Sequence, residues 1–284
     1  MAHSVLRGPV VFNFDIDFLN SSRVNFEATI DANRNGDVVL ASFWGQPNWK
    51  FIAKRFTLLN EERVARNKRV FFREVQFMQS SDHPFLVKCI YAAACPMYLS
   101  IYMKYYHRGT LERYLGHMSL DMSELCVIQV ACALRYLHKN NLVHLDVKLA
   151  NIFLDEEHNA ILGDFGLAME MEPQQQTLAK RFIGSTDGYA APEWVAASPD
   201  MELDPYKMDS YSLGVVLWCL VLERVTGLDV NYYFETRKTA DLQPRIRDML
   251  LRLLQWDPVE RVTVGDFLHR VHWDSVYRSV IDRN

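Results

Sequence analysis

From residue 24 to residue 57 apolar and polar residues alternate, and two turn-forming stretches, Asn33-Arg34-Asn35-Gly36-Asp37 and Gly45-Gln46-Pro47-Asn48, interrupt the alternation. A period of two sends successive side chains to opposite faces of a sheet, so three antiparallel strands are expected here. From Glu61 to Gln79 the spacing changes. Val64, Phe71, Val75 and Met78 recur near the helical period, with Arg63, Arg66, Lys68, Arg69 and Arg73 elsewhere, which predicts an amphipathic helix. Two further strands are expected over Leu86–Ala93 and Met97–Met103. From residue 110 onward the pattern is helical. Asp121-Met122-Ser123-Glu124 reads as a capping box for a helix reaching His138. That helix carries one apolar row at Leu125, Ile128, Cys132 and Tyr136, and another at Val127, Val130, Leu134 and Leu137. Apolar residues on several faces imply burial, here and in a helix expected over 209–222 and opened by Asp209. A sheet-rich part followed by a helical part makes the chain α+β, with a hinge near Lys104 to Arg108. Val10 to Phe18 reads as an added strand or a segment packed on the sheet-rich part.

Composition narrows the function classes. The chain has 284 residues, 49% of them hydrophobic, enough for one large domain or two lobes. A net charge of −4 offers no basic field, so nucleic acid is not expected as a partner. Cys89, Cys95, Cys126, Cys132 and Cys219 are scattered, odd in number and without metal-ligand spacing, which fits reduced thiols in an intracellular setting, cytoplasm or nucleus. The first twenty residues lack a basic flank followed by an apolar run, so no signal peptide is expected. The longest apolar run, Leu213 to Leu222, is too short for a bilayer, so no membrane association is expected.

Candidate chemistry sits in the middle of the chain. His144-Leu145-Asp146-Val147-Lys148-Leu149-Ala150-Asn151 is followed by Asp164-Phe165-Gly166. Phosphoryl transfer needs a carboxylate to orient a hydroxyl, an amide and a second carboxylate for metal, and a cation for the phosphate. Singly, these residues read as a turn aspartate, a surface lysine and a capping asparagine. Together, and with Ala191-Pro192-Glu193 downstream, their order and gaps resemble the eukaryotic protein kinase family over about residues 24 to 273. The resemblance implies a bilobal fold. Residues 24–105 would form a small antiparallel-sheet lobe with one helix, residues 106–273 a larger helical lobe, and ATP would lie in the cleft between them. Residues 1–23 would be an N-terminal extension and 274–284 a tail.

By that resemblance Asp146 is the catalytic base, Lys148 neutralises the transferred phosphoryl group, and Asn151 and Asp164 hold Mg2+. Lys54, in Phe51-Ile52-Ala53-Lys54-Arg55, would grip the ATP phosphates with Glu74 as its partner, although Glu74 alone reads as a solvated helix charge. Met103 would control the back of the adenine pocket, and the backbone of Lys104 and Tyr106 would bond the adenine edge. The activation segment would run from Asp164, Phe165 and Gly166 through Thr177, Ser185 and Thr186 to Ala191, Pro192 and Glu193. Glu193 would pair with Arg261, and Asp209 would brace the catalytic loop; both are stability roles. Lys148 and Thr186 resemble serine/threonine kinases, and the Ala-Pro-Glu segment favours protein substrates. Within the family, H-L-D-V-K-x-A-N-I-F-L is closest to the Wee and Myt kinases, which place an aromatic, here Phe153, beneath the adenine. A monomeric enzyme is expected. The alternative is a pseudokinase acting as a scaffold or allosteric binding module.

Three positions depart from the pattern. The glycine-rich loop reads Asp31-Ala32-Asn33-Arg34-Asn35-Gly36-Asp37-Val38, with Gly36 alone retained. Asp31 either brings a negative charge toward the phosphates or ends the first strand and faces solvent. Ile52 replaces a small alanine that packs on the adenine, and Leu145 replaces an arginine that pairs with a loop phosphate. Phosphorylated Thr177 or Ser185 would then need another cation, such as Lys180 or Arg181. Ala150 lacks the carboxylate found in arginine-directed kinases, so a basic substrate motif is not expected.

Overall fold

The computed structural model of the chain describes residues 24–33, 36–223 and 242–270. The expectations at Val10 to Phe18, at Arg34 and Asn35, and for the extension 1–23 and the tail 274–284 lie outside the described residues. The described residues form two compact units. One ends at Gln79 and resumes over Lys88–Tyr105; the other comprises Ser80–Val87 and the chain from Tyr106 onward.

The first unit is a five-stranded antiparallel sheet, β1 (Val24–Asn33), β2 (Gly36–Phe43), β3 (Gln46–Thr57), β4 (Cys89–Ala94) and β5 (Tyr98–Lys104), in the order β1-β2-β3-β5-β4. The last two strands begin later than the apolar pattern implied. Leu86 instead makes a parallel bridge to Leu162, and Val87 N–H donates to Leu162 O at 2.9 Å, so the apolar start of the run belongs to the second unit. Helix α1 (Glu61–Ser80) packs on one sheet face, where Phe56 meets Phe71 edge-on at 5.8 Å. The opposite face carries a cluster of Val39, Ala41, Phe51, Ala53, Ala93 and Tyr102, each at most 5% exposed. On that face Arg55 donates to Asp37 at 2.7 Å and lies over the Phe26 and Tyr98 rings at 4.9 and 4.8 Å. Gly36 has φ +153, and a Cβ there would stand 1.7 Å from the Arg55 carbonyl oxygen. Pairing of β2 with β3 therefore requires glycine at this position, independently of any ligand.

The second unit is helical. Helix α2 (Leu120–Lys139) is buried on several faces, as its two apolar rows require. Its cap differs from the expected Asp121 box. Ser119, in extended backbone, is the N-cap, and its Oγ accepts from Met122 N–H at 3.3 Å. Glu124 is instead fully buried and ion-paired with Arg245 at 2.5 Å. Two-stranded ribbons pair β6 (Leu142–Val143) with β9 (Met169–Glu170), β7 (Ile152–Leu154) with β8 (Ala160–Leu162), and β10 (Leu178–Ala179) with β11 (Glu202–Leu203). A short helix α3 (Pro192–Ala196) precedes the buried α4 (Pro205–Leu222). Helix α4 starts a turn before Asp209 because Asp204 caps the amides of Tyr206 and Lys207 and Pro205 fits the first helical position. Helices α5 (Pro244–Leu253) and α6 (Val264–Arg270) complete the described elements. Among the described residues no helix is long and apolar enough to cross a membrane.

Candidate active site

The segment joining β6 to β7 carries His144 through Asn151. Its backbone is tied to the second turn of α4: the Asp209 carboxylate accepts from His144 N–H at 2.9 Å and Leu145 N–H at 2.7 Å, and contacts His138 Nε2 at 2.9 Å. Leu145 takes a left-handed conformation, φ 64, costly for a branched side chain and sustained here by these bonds. His144 is fully buried. Its Nδ1 accepts from Asp146 N–H at 3.2 Å, so its Nε2–H donates to Gly163 O at 3.1 Å, and its ring meets Phe165 edge-on at 5.4 Å. Burial holds the imidazole below its ordinary pKa, against the pull of Asp209, Asp146 and Asp164, so it stays neutral and able to accept.

This geometry aims Asp146, 8% exposed, into a set of three donors. Lys148 Nζ reaches its Oδ2 at 2.9 Å, Asn151 Nδ2 reaches the same oxygen at 2.8 Å, and the Thr186 hydroxyl donates to Oδ1. Thr186 Oγ1 also accepts from Lys148 at 3.1 Å, and Asn151 Nδ2 bonds the Asp146 carbonyl at 2.8 Å. A carboxylate fixed in this way is oriented and short of rotational freedom, as a positioned proton acceptor must be.

Asn151 and Asp164 leave neighbouring ends of the β7–β8 ribbon, because Gly163 N–H donates to Asn151 O at 2.9 Å. Asn151 spends its amide N–H on Asp146, which leaves its carbonyl oxygen as the donor it could offer to a metal. Asp164 is exposed, with φ 58. Two hard oxygen donors suit Mg2+, which keeps waters and substrate phosphates as its other ligands. Among the described residues no group of three or more His, Cys, Asp or Glu is placed to hold a metal ion.

In the first unit Lys54 Nζ lies 2.8 Å from Glu74 Oε1, and Glu74 is only 1% exposed. Glu74 is thus a buried partner of a sheet lysine and not a solvated helix charge. Ile52 pairs with Leu40 on one side and Met103 on the other, on the Lys54 face. Lys104 is exposed at the end of β5. Asp31 lies within β1, which continues to Asn33, so it does not end the strand. In the second unit Tyr106 stacks on Phe153 at 5.6 Å with an interplanar angle of 23°, and burial raises its phenol to about 12.

Thr177 is exposed and Ser185 half-buried. Strand β10 pairs with β11, and Lys180 N–H and Arg181 N–H extend the ribbon to Met201 O and Pro199 O, both at 2.9 Å. Lys180 Nζ caps Ala197 O at 2.8 Å and lies over the Trp194 ring at 4.7 Å, while Arg181 pairs with Asp200. Glu193 and Arg261 form a two-pronged pair at 2.6 and 2.8 Å. His144 and His138 take part in this framework although sequence reasoning assigned them no role; the only signal was that His144 heads the motif.

The protein kinase domain profile matches residues 47–273, well over half the chain. The liver/testis isoform of the phosphorylase b kinase gamma catalytic chain from Bos taurus is 29% identical over 228 residues, covering 74% of this chain and 55% of its own length. The carbon catabolite-derepressing protein kinase of Secale cereale is 30% identical over 65% of this chain and 38% of its own length. Serine/threonine-protein kinase kin-29 of Caenorhabditis briggsae is 31% identical over 70% of this chain and 23% of its own length. The chain therefore spans about half, or less, of the curated relatives it matches.

Proposed function

Because the chain belongs to the protein kinase domain family, we propose that it is a protein serine/threonine kinase that transfers the γ-phosphoryl group of ATP to a protein hydroxyl. The observation that carries this reading is Asp146, a single carboxylate held by Lys148, Asn151 and Thr186 together. In the proposed step the substrate hydroxyl oxygen bonds to the γ-phosphorus, the bond to the departing ADP oxygen breaks, and the hydroxyl proton passes to Asp146. Lys148 sits beside that carboxylate and faces the charge of the transferred group. Asn151 and Asp164 would hold Mg2+, which when bound supplies charge neutralisation for the phosphates. Lys54, fixed by Glu74, would bind the phosphates of ATP. Met103, with the backbone of Lys104 and Tyr106, would receive the adenine, and Phe153 would lie beneath it. The contact of Thr186 with both Asp146 and Lys148 supports serine and threonine as acceptors, and the Ala191-Pro192-Glu193 segment supports protein substrates. Kinship with the Wee and Myt kinases, and the divergence of the phosphate loop, belong to the same proposal and rest on the short blocks quoted above.

All the charged groups of the reaction are present, which supports activity over a pseudokinase role. Transfer of labelled phosphate from ATP to a generic protein substrate tests it. The Asp146→Asn and Asp164→Asn variants should each lose roughly a hundredfold or more in rate while keeping their fold. Absence of transfer by the wild-type chain overturns the reading. Turnover by Asp146→Asn within about tenfold of wild type removes Asp146 from the role of base.

A further inference from the structure

Strand β1 does not pair with β2 in one register. Thr29 faces Val39, and regular antiparallel continuation would set Asp31 against Asp37, on the face where Arg55 lies. Two carboxylates directly opposite repel. An irregularity between Thr29 and Asp31 shifts the register by one residue, and Asp31 pairs with Val38 instead. Such a bulge turns the following side chain to the other face of the sheet. Val38 in turn pairs with Lys54, and Lys54 with Ile101. Directly paired residues project to the same side, so Asp31 stands on the face of Lys54, two strands away, on the order of 10 Å. The adjacent row on that face is apolar: Ala28, Leu40, Ile52 and Met103. One face of the sheet thus combines an apolar strip with a row holding an ammonium group and an exposed carboxylate.

Resting on the reading that this face takes the nucleotide, with its phosphates at Lys54, we infer that Asp31 is a charge filter that disfavours free polyphosphate relative to its metal complex. Coulomb repulsion scales with the charge of the ligand, and metal-free ATP carries about twice the negative charge of its magnesium complex. The carboxylate therefore penalises the free form more, and makes nucleotide binding by this chain depend more strongly on the divalent cation. A glycine at the same place would exert no such preference. The effect is a property of charge and not of shape, so an asparagine should abolish it while leaving the strand pairing intact.

Calorimetric titration of the 284-residue chain tests this with three ligands: ATP with magnesium, ATP with a chelator, and adenosine. The Asp31→Asn variant should bind chelator-treated ATP about fivefold more tightly than wild type, and the magnesium complex about twofold more tightly. Adenosine affinity should not change, and the gain for ATP should shrink as salt is raised. Equal effects on ATP and adenosine, or no effect on either, would overturn the inference while leaving the kinase reading intact. The Lys54→Met variant separates the two. It should weaken ATP binding and spare adenosine; ATP affinity indifferent to Lys54 would take the phosphates off this face and overturn the filter together with the reading on which it stands.

Discussion

Replacing Glu193 by alanine should be among the most destabilising single changes in the second unit. Arg261 is 1% exposed. Its five N–H groups are all used: Nη1 donates to Glu193 Oε1 at 2.6 Å and Lys207 O at 3.0 Å, Nη2 to Glu193 Oε2 at 2.8 Å and Trp256 O at 3.2 Å, and Nε to Gln255 O at 2.9 Å. The guanidinium also lies 4.9 Å over the Tyr211 ring. Truncating Glu193 keeps three carbonyl bonds but leaves a buried cation without its counter-charge, a loss of about 3–5 kcal/mol. For a unit of this size that lowers the melting midpoint by roughly 6 to 20 °C. Urea denaturation followed by circular dichroism measures it. The Asp248→Ala variant is the control, because Asp248 pairs with Arg252 at 2.8 Å on an exposed helix surface and should cost no more than about 0.5 kcal/mol. Exchanging both members, Glu193→Leu with Arg261→Met, should cost less than Glu193→Ala alone, since no charge is stranded. Equal losses for Glu193→Ala and Asp248→Ala would refute the claim that burial sets the size of the effect.

Gly36→Ala should destabilise the first unit by about 2 kcal/mol or more even without ligand, because the added Cβ meets the Arg55 carbonyl; a melting curve within about 0.5 kcal/mol of wild type would contradict the pairing described. The chain made in bacteria and treated with phosphatase should be active, and a Thr177→Ala/Ser185→Ala double variant should stay within about threefold of its rate. Activation that tracks phosphate at either residue would show that some cation serves the role left vacant by Leu145.

The first unit was legible because alternation is local: each strand buries one face, and the period shows it residue by residue. The candidate loop over residues 144–151 stood out for another reason, since its polar groups occupy one short segment at spacings that phosphoryl-transfer chemistry would need. What escaped was decided by competition between near neighbours or by distant partners. Ser119 and Asp121 are both good caps two residues apart, and the buried demand of Glu124 for Arg245 settles which is used. Leu86 and Val87 read as the start of a strand because an apolar run carries no label for the sheet it joins; Leu162, more than seventy residues on, claims them. Strands β10 and β11 are two residues each and leave no period to read. The bulge in β1 is equally silent, since alternation carries no mark of the residue at which the register shifts.

Leu145 separates two demands that one position can carry. The backbone demand is kept: φ 64 and an N–H directed at Asp209 hold the loop that presents Asp146. The side chain is 5% exposed and apolar, so it takes up core volume and offers nothing to an anion. With no cation at Leu145, the segment is ordered by other contacts. Here the means are backbone and packing: the β10–β11 ribbon, the cap of Lys180 on Ala197, and the Trp194 Nε1–H bond to Ile183 O at 3.0 Å. Lys180 and Arg181 are both engaged within that structure, with Trp194 and with Asp200, so recruiting either to a phosphate would break a contact that already orders the segment. Further along the same segment Thr186 reaches Asp146, so the order of the segment and the aim of the carboxylate form one connected system.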